Sequence, residues 1–182
     1  ILSKINEKSF DILKKIFKYY TEHDYNIKFN QLLPNGLSFF TSIKNTKNFD
    51  DMKNFEDIIN LLLKYGADPN IKDNNNIYPL QYAIKCNSIK FVLALINSNK
   101  INLSQRDFKE KKSYIHLAAC SSNPKILIEF LNRKLFDINS VDSLNQTPLF
   151  YACLYNKKMN VIALFENDDL DYYHKDKSGH DV

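Results

Sequence analysis

Side chains able to act as nucleophile, general base or metal ligand are sparse in this sequence, and their spacing decides what they can do. The histidines and cysteines that attract notice are His116, His174 and His180, and Cys86, Cys120 and Cys153. Nucleophilic or acid–base catalysis needs a nucleophile, a base and an orienting group converging on one pocket, and no such set is visible. His174 and His180 stand among Asp171, Asp176 and Asp181, but no spacing there puts three ligands on one rigid element, so the segment reads as a solvated acidic turn, and no metal is expected. The cysteines are odd in number, far apart and without a C-x-x-C pair. That excludes a disulfide framework and a zinc knuckle, leaves packing thiols, and favours a reducing compartment. No G-x-S-x-G, P-loop, H-E-x-x-H, G-x-G-x-x-G or EF-hand loop occurs, and with 3 glycines in 182 residues a phosphate-cradling loop has little to be built from. The sequence reads as a non-enzyme, with no cofactor and no small-molecule substrate.

The formal net charge is +4, unevenly spread. Residues 85–134 carry 10 basic and 3 acidic groups, and residues 135–182 carry 4 and 8. The basic set comprises Lys85, Lys90, Lys100, Arg106, Lys109, Lys111, Lys112, Lys125, Arg133 and Lys134. These are scattered rather than aligned in one stripe, so a solvated face is expected, with an acidic protein ahead of RNA or DNA as a partner. No apolar run reaches the 18 or so residues of a membrane span, and no signal sequence opens the chain, so no membrane partner is expected.

The elements that would position these residues repeat. An Asp or Asn followed five residues later by Asp occurs at Asp68/Asp73, Asn102/Asp107, Asp137/Asp142 and Asp171/Asp176, in steps of 34, 35 and 34 residues. In the same phase come Tyr78-Pro79-Leu80-Gln81-Tyr82-Ala83, Ser113-Tyr114-Ile115-His116-Leu117-Ala118-Ala119 and Thr147-Pro148-Leu149-Phe150-Tyr151-Ala152. Each predicts a helix start: Ser or Thr offers an oxygen to free amides, and Pro at the first position gives up an N–H that had no partner. The Leu-x-x-Ala rhythm lets a neighbouring helix come close. A second helix follows in each unit, on Ile58, Ile59, Leu62 and Leu63; Ile89, Val92, Leu95 and Ile96; Ile126, Leu127, Phe130 and Leu131; and Val161, Ile162, Leu164 and Phe165. Gly66 suits the left-handed residue that ends a helix.

From about residue 35 onward these motifs resemble ankyrin repeats, most specifically Thr147-Pro148-Leu149 and Gly66-Ala67-Asp68-Pro69-Asn70, with His116 at the family's histidine position. The resemblance implies an all-α ankyrin-repeat solenoid of stacked helix-turn-helix units with β-turn fingers, and a structural, hydrogen-bonding role for His116. The expected organisation is one ankyrin-repeat domain over 1–182. It has a degenerate leading unit at 1–31, repeats at 32–72, 73–107, 108–141 and 142–175, and the start of a further, truncated one at 176–182. Phe10, Leu13, Ile16, Phe17 and Tyr20 form the stripe of the leading unit's outer helix, and Ser38–Ile43 holds the first inner helix, followed by a polar insert at Asn45–Lys53. Asn76 and Asn145 stand where the family uses Gly and tolerate positive φ. The Asp107–Ile115 segment is one residue longer than its counterparts and carries a Lys-Glu-Lys-Lys stretch, so its finger should bulge or be mobile. Cys153 takes a position normally small and buried, and Tyr82, Leu117 and Tyr151 share one that faces the core. Leu131 to Asn139 resembles a context in which the family's asparagines are hydroxylated.

The implied function is a non-catalytic module that binds a partner protein through its concave finger and inner-helix surface. Carried over by position, the partner-binding residues are Lys72, Asn74, Asn75 and Ile77; Arg106, Phe108, Lys109 and Lys112; Val141, Ser143, Leu144 and Gln146; and Lys85, Cys86, Cys120, Ser121, Leu154 and Tyr155. Phe108, Val141, Leu144, Leu154 and Tyr155 are apolar where water is expected and read as a contact patch. Two alternatives stand beside this one: a recruiting segment of a larger enzyme or secreted effector whose chemistry lies outside the chain, and an RNA-binding surface on 85–134. The expected address is intracellular, cytoplasmic or nuclear, or the host cytosol for a secreted effector.

Overall fold

A computed structural model of the chain describes residues 7–23, 30–34, 36–38, 40–42 and 55–182. All regular structure among them is helical: α1 (Glu7–Glu22), α2 (Phe55–Lys64), α3 (Pro79–Lys85), α4 (Ile89–Asn97), α5 (Tyr114–Ala119), α6 (Pro124–Asn132), α7 (Pro148–Leu154) and α8 (Lys158–Phe165). The chain forms two compact units, one of Ile1–Tyr82 with Lys90–Ile101 and one of Ala83–Ile89 with Asn102–Val182. The polar insert at 45–53 and the side chains of Phe10, Leu13 and Phe17 lie outside the described residues, as does the end of the expected first inner helix, of which Thr41 and Ser42 form a short 3₁₀ turn. Ile16 and Tyr20 of the leading stripe are exposed.

The acidic pairs divide one task. The first member accepts the amide two residues on: Asp68 from Asn70, Asn102 from Ser104, Asp137 from Asn139 and Asp171 from Tyr173. The second closes a finger. Asp73 Oδ1 accepts the amides of Asn75 and Ile77, Asp142 Oδ1 those of Leu144 and Gln146, and Asp176 Oδ1 those of Ser178 and His180, all at 2.8–3.0 Å. Each turn needs one left-handed residue, which is Asn76 (φ 59°), Asn145 (φ 60°) and Gly179 (φ 80°). Asp107 accepts from Glu110 and Lys112, one residue farther along, and Lys111 takes φ 57°. The longer finger does bulge, and a lysine pays the conformational cost that Asn avoids elsewhere.

Within the first unit an earlier finger repeats this geometry without its acid. The Leu33 amide donates the closing bond to Leu37 O, Gly36 sits at φ 74°, and Asn74 donates its amide to Gly36 O at 2.8 Å. A Cβ on Gly36 would come within 2.3 Å of Asn74 Nδ2, so glycine is required there by contact as well as by φ. Asn30 Oδ1 receives the amide of Asp68, as Asn139 Oδ1 receives that of Asp171. Asn30 therefore does for the leading unit what Asn139 does later. Phe55 of α2 meets Phe91 of α4 edge-on at 5.2 Å, and Ile58, Ile59, Leu62, Val92 and Leu95 are buried with them. Glu56 and Asp57 begin α2 and Lys64 ends it, which matches the helix dipole.

In the second unit α5 packs on α6 and α7, and α8 on α6 and α7: inner helix on inner, outer on outer. The pairs Ile115/Ala118 and Leu149/Ala152 are fully buried where the helices approach. Each buried Ile or Leu of this kind contributes roughly 1.5–3 kcal/mol. Asn160, itself buried on α8, donates to the carbonyls of Ala118, Ala119 and Ser121, satisfying the C-terminal end of α5 from the following repeat. Asn123 caps α6 through Lys125 N, ahead of Pro124 at the first helical position.

The helix starts differ in how they are finished. At α5, Ser113 Oγ lies 2.7 Å from His116 Nδ1, the Ser113 amide donates to the same nitrogen at 3.2 Å, and His116 Nε2 lies 3.0 Å from Gln146 O. This network assigns the proton to Nε2 and leaves Nδ1 as an acceptor. The structural role expected of His116 is the one it has. At α3, Gln81 Oε1 reaches back to the Tyr78 amide in the same way. At α7 the equivalent residue is Phe150, and the buried Thr147 hydroxyl has no partner. The capping bond expected of the Thr147 oxygen is not made, and Phe150 has no polar side chain to reach back as His116 and Gln81 do.

Two outcomes follow in urea and thermal unfolding. Ser113→Ala should cost about 1–2 kcal/mol, whereas Thr147→Val, which removes an orphaned hydroxyl at constant shape, should change stability by less than about 0.5 kcal/mol or raise it. Burial lowers the pKa of His116 below its ordinary 6.5, against the bond to Gln146 and the field of Asp142, which raise it. The unfolded chain then takes up the proton first, so this contribution is complete above pH 6.5 and is lost as the pH falls through the depressed native value. The thermal midpoint should drop between pH 7 and 5, and His116→Gln should flatten that slope.

Candidate functional site

The residues expected to bind a partner do not share one role in the structure. Arg106 is exposed but committed: its Nη1 donates to Lys111 O at 2.9 Å and to Val141 O at 2.8 Å, tying one finger to the next. Asn74 makes the finger-to-finger bond to Gly36, and Asn75 and Ile77 spend their amides on Asp73. Gln146 donates to Asp176 Oδ2, and Ser143 donates its amide to Glu110 O. Val141, Ile77 and Gln146 are half-buried, while Lys72 and Lys109 project from the finger region into water.

The apolar positions behave differently. Phe108 is 67% exposed, Leu144 48%, Leu154 70% and Tyr155 52%, whereas Val141 is half-buried. Leu154 ends α7, and Tyr155 follows it as the cap, with its ring stacked on Tyr151 at 6.4 Å and 12°. Tyr151 is buried and donates to Asp142 Oδ2 at 2.6 Å; burial first and this acceptor second hold its hydroxyl well above its ordinary pKa. Lys112 places its ammonium 4.2 Å above the Tyr151 ring and pairs with Glu110. Finger and inner helix are thereby joined through the chain Glu110, Lys112, Tyr151 and Tyr155. Lys111 lies 5.7 Å from the Phe108 ring, shielding one side of that finger tip.

Of the three core-facing positions, Tyr82 and Tyr151 are buried, but Leu117 is only half so. It lines a cleft of ≈ 260 Å³ with Ile84, Lys85, Asn87, Lys112, Cys120, Ser121, Ser122 and Tyr155. Sequence reasoning placed Lys85, Lys112, Cys120, Ser121 and Tyr155 on the binding face, but missed Leu117, Ser122 and the adjoining Lys157, whose Nζ donates to Ser122 Oγ at 2.8 Å. Ser122 and Lys157 occupy turns between inner and outer helices, outside the positions carried over from the family. The signal available was that both lie within three residues of the ends of successive inner helices.

The remaining candidates for chemistry differ in how far the structure engages them. Cys120 is half-buried with Sγ 3.1 Å from His116 O, and burial pushes its thiol up to about 11, against the fields of Lys112 and Lys157. Such a thiol is a poor nucleophile. Cys153, expected to be buried, is exposed: it lies one residue past the fully buried Ala152, and a helix turns its face toward solvent in that step. His174 Nε2 lies 3.0 Å from Asn145 O, fastening its turn to the preceding finger, and His180 lies 3.6 Å from Asp176. No group of three or more His, Cys, Asp or Glu among the described residues is arranged to hold a metal ion, and no helix among them is long and apolar enough to cross a membrane.

Known proteins carry the same pattern. A relative from Acanthamoeba polyphaga mimivirus, described as an ankyrin repeat protein, is 32% identical over 111 residues, covering 60% of this chain and 10% of its own. A fowlpox virus ankyrin repeat protein is 30% identical over 112 residues, covering 60% of this chain and 32% of its own. Another from fowlpox virus is 28% identical over 155 residues, covering 85% and 97%. The chain thus spans a third or less of the length of the first two. The crystal structure of the ankyrin repeat domain of Bcl-3 superposes with a TM-score of 0.75 at 18% identity, over 92% of this chain and 70% of that one, and so shares the fold. A family model described as ankyrin repeats in three copies matches residues 51–142. With fingers, paired helices and family match in register, this chain belongs to the ankyrin repeat family and has its all-α fold.

Proposed function

We propose that the chain is a non-catalytic binding module that captures a partner protein on the finger and inner-helix surface, with the second unit supplying the apolar anchors. The family is generally one of protein–protein interaction modules. The observation that carries the reading is the exposure of Leu154 and Tyr155 at the end of a helix that buries Leu149, Tyr151 and Ala152, beside fingers whose amides are already satisfied. A surface held in this way gives a partner contact without the ordering cost of flexible loops. Phe108 and Leu144 extend the apolar area to the finger tips, and Lys85 and Lys109 give it a basic rim. In the first unit, Lys72 offers an exposed ammonium beside its finger. Arg106, Val141 and Gln146 act on this reading by holding successive fingers in register, more than by touching the partner.

Leu154→Ala/Tyr155→Ala should weaken capture of the partner about tenfold or more, as expected for truncating anchoring side chains, with helical circular dichroism unchanged. Met159→Ala/Ile162→Ala, which truncates exposed apolar residues of α8, should leave capture intact. Equal capture by the wild type and the Leu154/Tyr155 variant would contradict the proposal.

A further inference from the structure

Resting on the reading just given, the chemistry of the cleft specifies what kind of segment fills it. The last turn of α3 (Ala83–Lys85), the end of α5 and the end of α7 converge there, with Leu117 and Tyr155 as its apolar walls. A further side is cationic, with Lys85 exposed at the rim, and a second ammonium stands just outside the lining, where Lys157 of the adjoining concavity donates to Ser122 Oγ at 2.8 Å. None of the lining residues is acidic, and Glu110, whose field reaches the Cys120 thiol, is paired with Lys112.

Lysines beside helix C-termini ordinarily serve the helix dipole. Here several of the terminal carbonyls already have partners. Ala83 O accepts Ser88 N, Ala118 O and Ala119 O accept Asn160 Nδ2, and Ala152 O accepts Lys157 N. Neither ammonium is taken up by those carbonyls: Lys85 is exposed and Lys157 Nζ stands 2.8 Å from Ser122 Oγ, beside a concavity of ≈ 260 Å³, the size of one or two side chains rather than a groove able to track a nucleic-acid backbone.

We propose that this cleft binds a short acidic segment of a partner protein, which seats one aliphatic or aromatic side chain against Leu117 and Tyr155 and directs its carboxylates to Lys85 and Lys157. Opposite charge at the rim steers approach and fixes register, while the buried side chain supplies residence time. Affinity should accordingly fall as salt rises.

The test is selection of random twelve-residue peptides on the full chain, followed by binding measurements on the enriched peptides. They should carry excess Asp and Glu around a Leu, Ile, Phe or Tyr. Lys85→Glu/Lys157→Glu should weaken them about tenfold or more, while Lys125→Glu/Lys134→Glu, with both lysines outside the lining, should stay within about twofold of the wild type. Enrichment of neutral or basic peptides, no enrichment, or binding that survives reversal at Lys85 and Lys157 would overturn the proposal. So would tighter binding of an oligouridylate that the same reversal abolishes, which would assign the cleft to nucleic acid. If the peptides fail while partner capture still depends on Leu154 and Tyr155, the acidic-segment assignment falls and the binding-module reading stands; if capture is also independent of those residues, both fall.

Discussion

The structure depends on a carboxylate that folds the backbone onto itself. In each of four fingers one Asp oxygen accepts two turn amides, and the chain reverses through a single left-handed residue. A hydrogen bond to a charged acceptor contributes about 1.5–3 kcal/mol, so a pair of them can hold a turn that has almost no core of its own. Asp142 goes further, using its second oxygen for the Tyr151 hydroxyl and so fastening the finger to the inner helix.

From that constraint comes the rest of the local order. A fixed finger presents a free amide and a free carbonyl to its neighbour, as in the bonds from Ser143 to Glu110 O and from Lys177 to Leu144 O. Asn side chains do the same at the other levels of a repeat: Asn139 to Asp169 O, Asn123 to Asn87 O and Asn160 to the end of α5. Within the second unit, neighbouring repeats thereby complete polar groups that each leaves open, the kind of nearest-neighbour stabilisation that repeat proteins rely on. The side chains of Phe108, Leu144, Leu154 and Tyr155 take no part in these bonds and stay exposed.

Much of this was legible in residue types because the demands are local. Positive φ at Asn76 and Asn145, the exit at Gly66 (φ 91°) and the extra residue in the Asp107 finger all follow from turn chemistry that few residues satisfy. What escaped notice depends on partners distant in sequence. Arg106 donates to Val141 O, thirty-five residues on, a tie between fingers that no local pattern indicates. The finger at Leu33–Leu37 lacks the acid that marks the others, and only its hydrogen bonds and the Asn30–Asp68 contact reveal the register. Thr147 carries the expected capping oxygen, yet Phe150 leaves it alone. The cleft at Leu117, Ser122 and Lys157 is assembled from successive repeats, and no single one of them announces it.

Native-state hydrogen exchange tests the claim that the fingers are held before any partner arrives. The amides of Asn75, Ile77, Glu110, Lys112, Leu144 and Gln146 should exchange at least about a hundredfold more slowly than in an unstructured peptide, although several belong to exposed residues. Exchange at these positions within about tenfold of the free-peptide rate, with the amides of α5 and α7 still protected, would show fingers that form only on binding and would contradict the account.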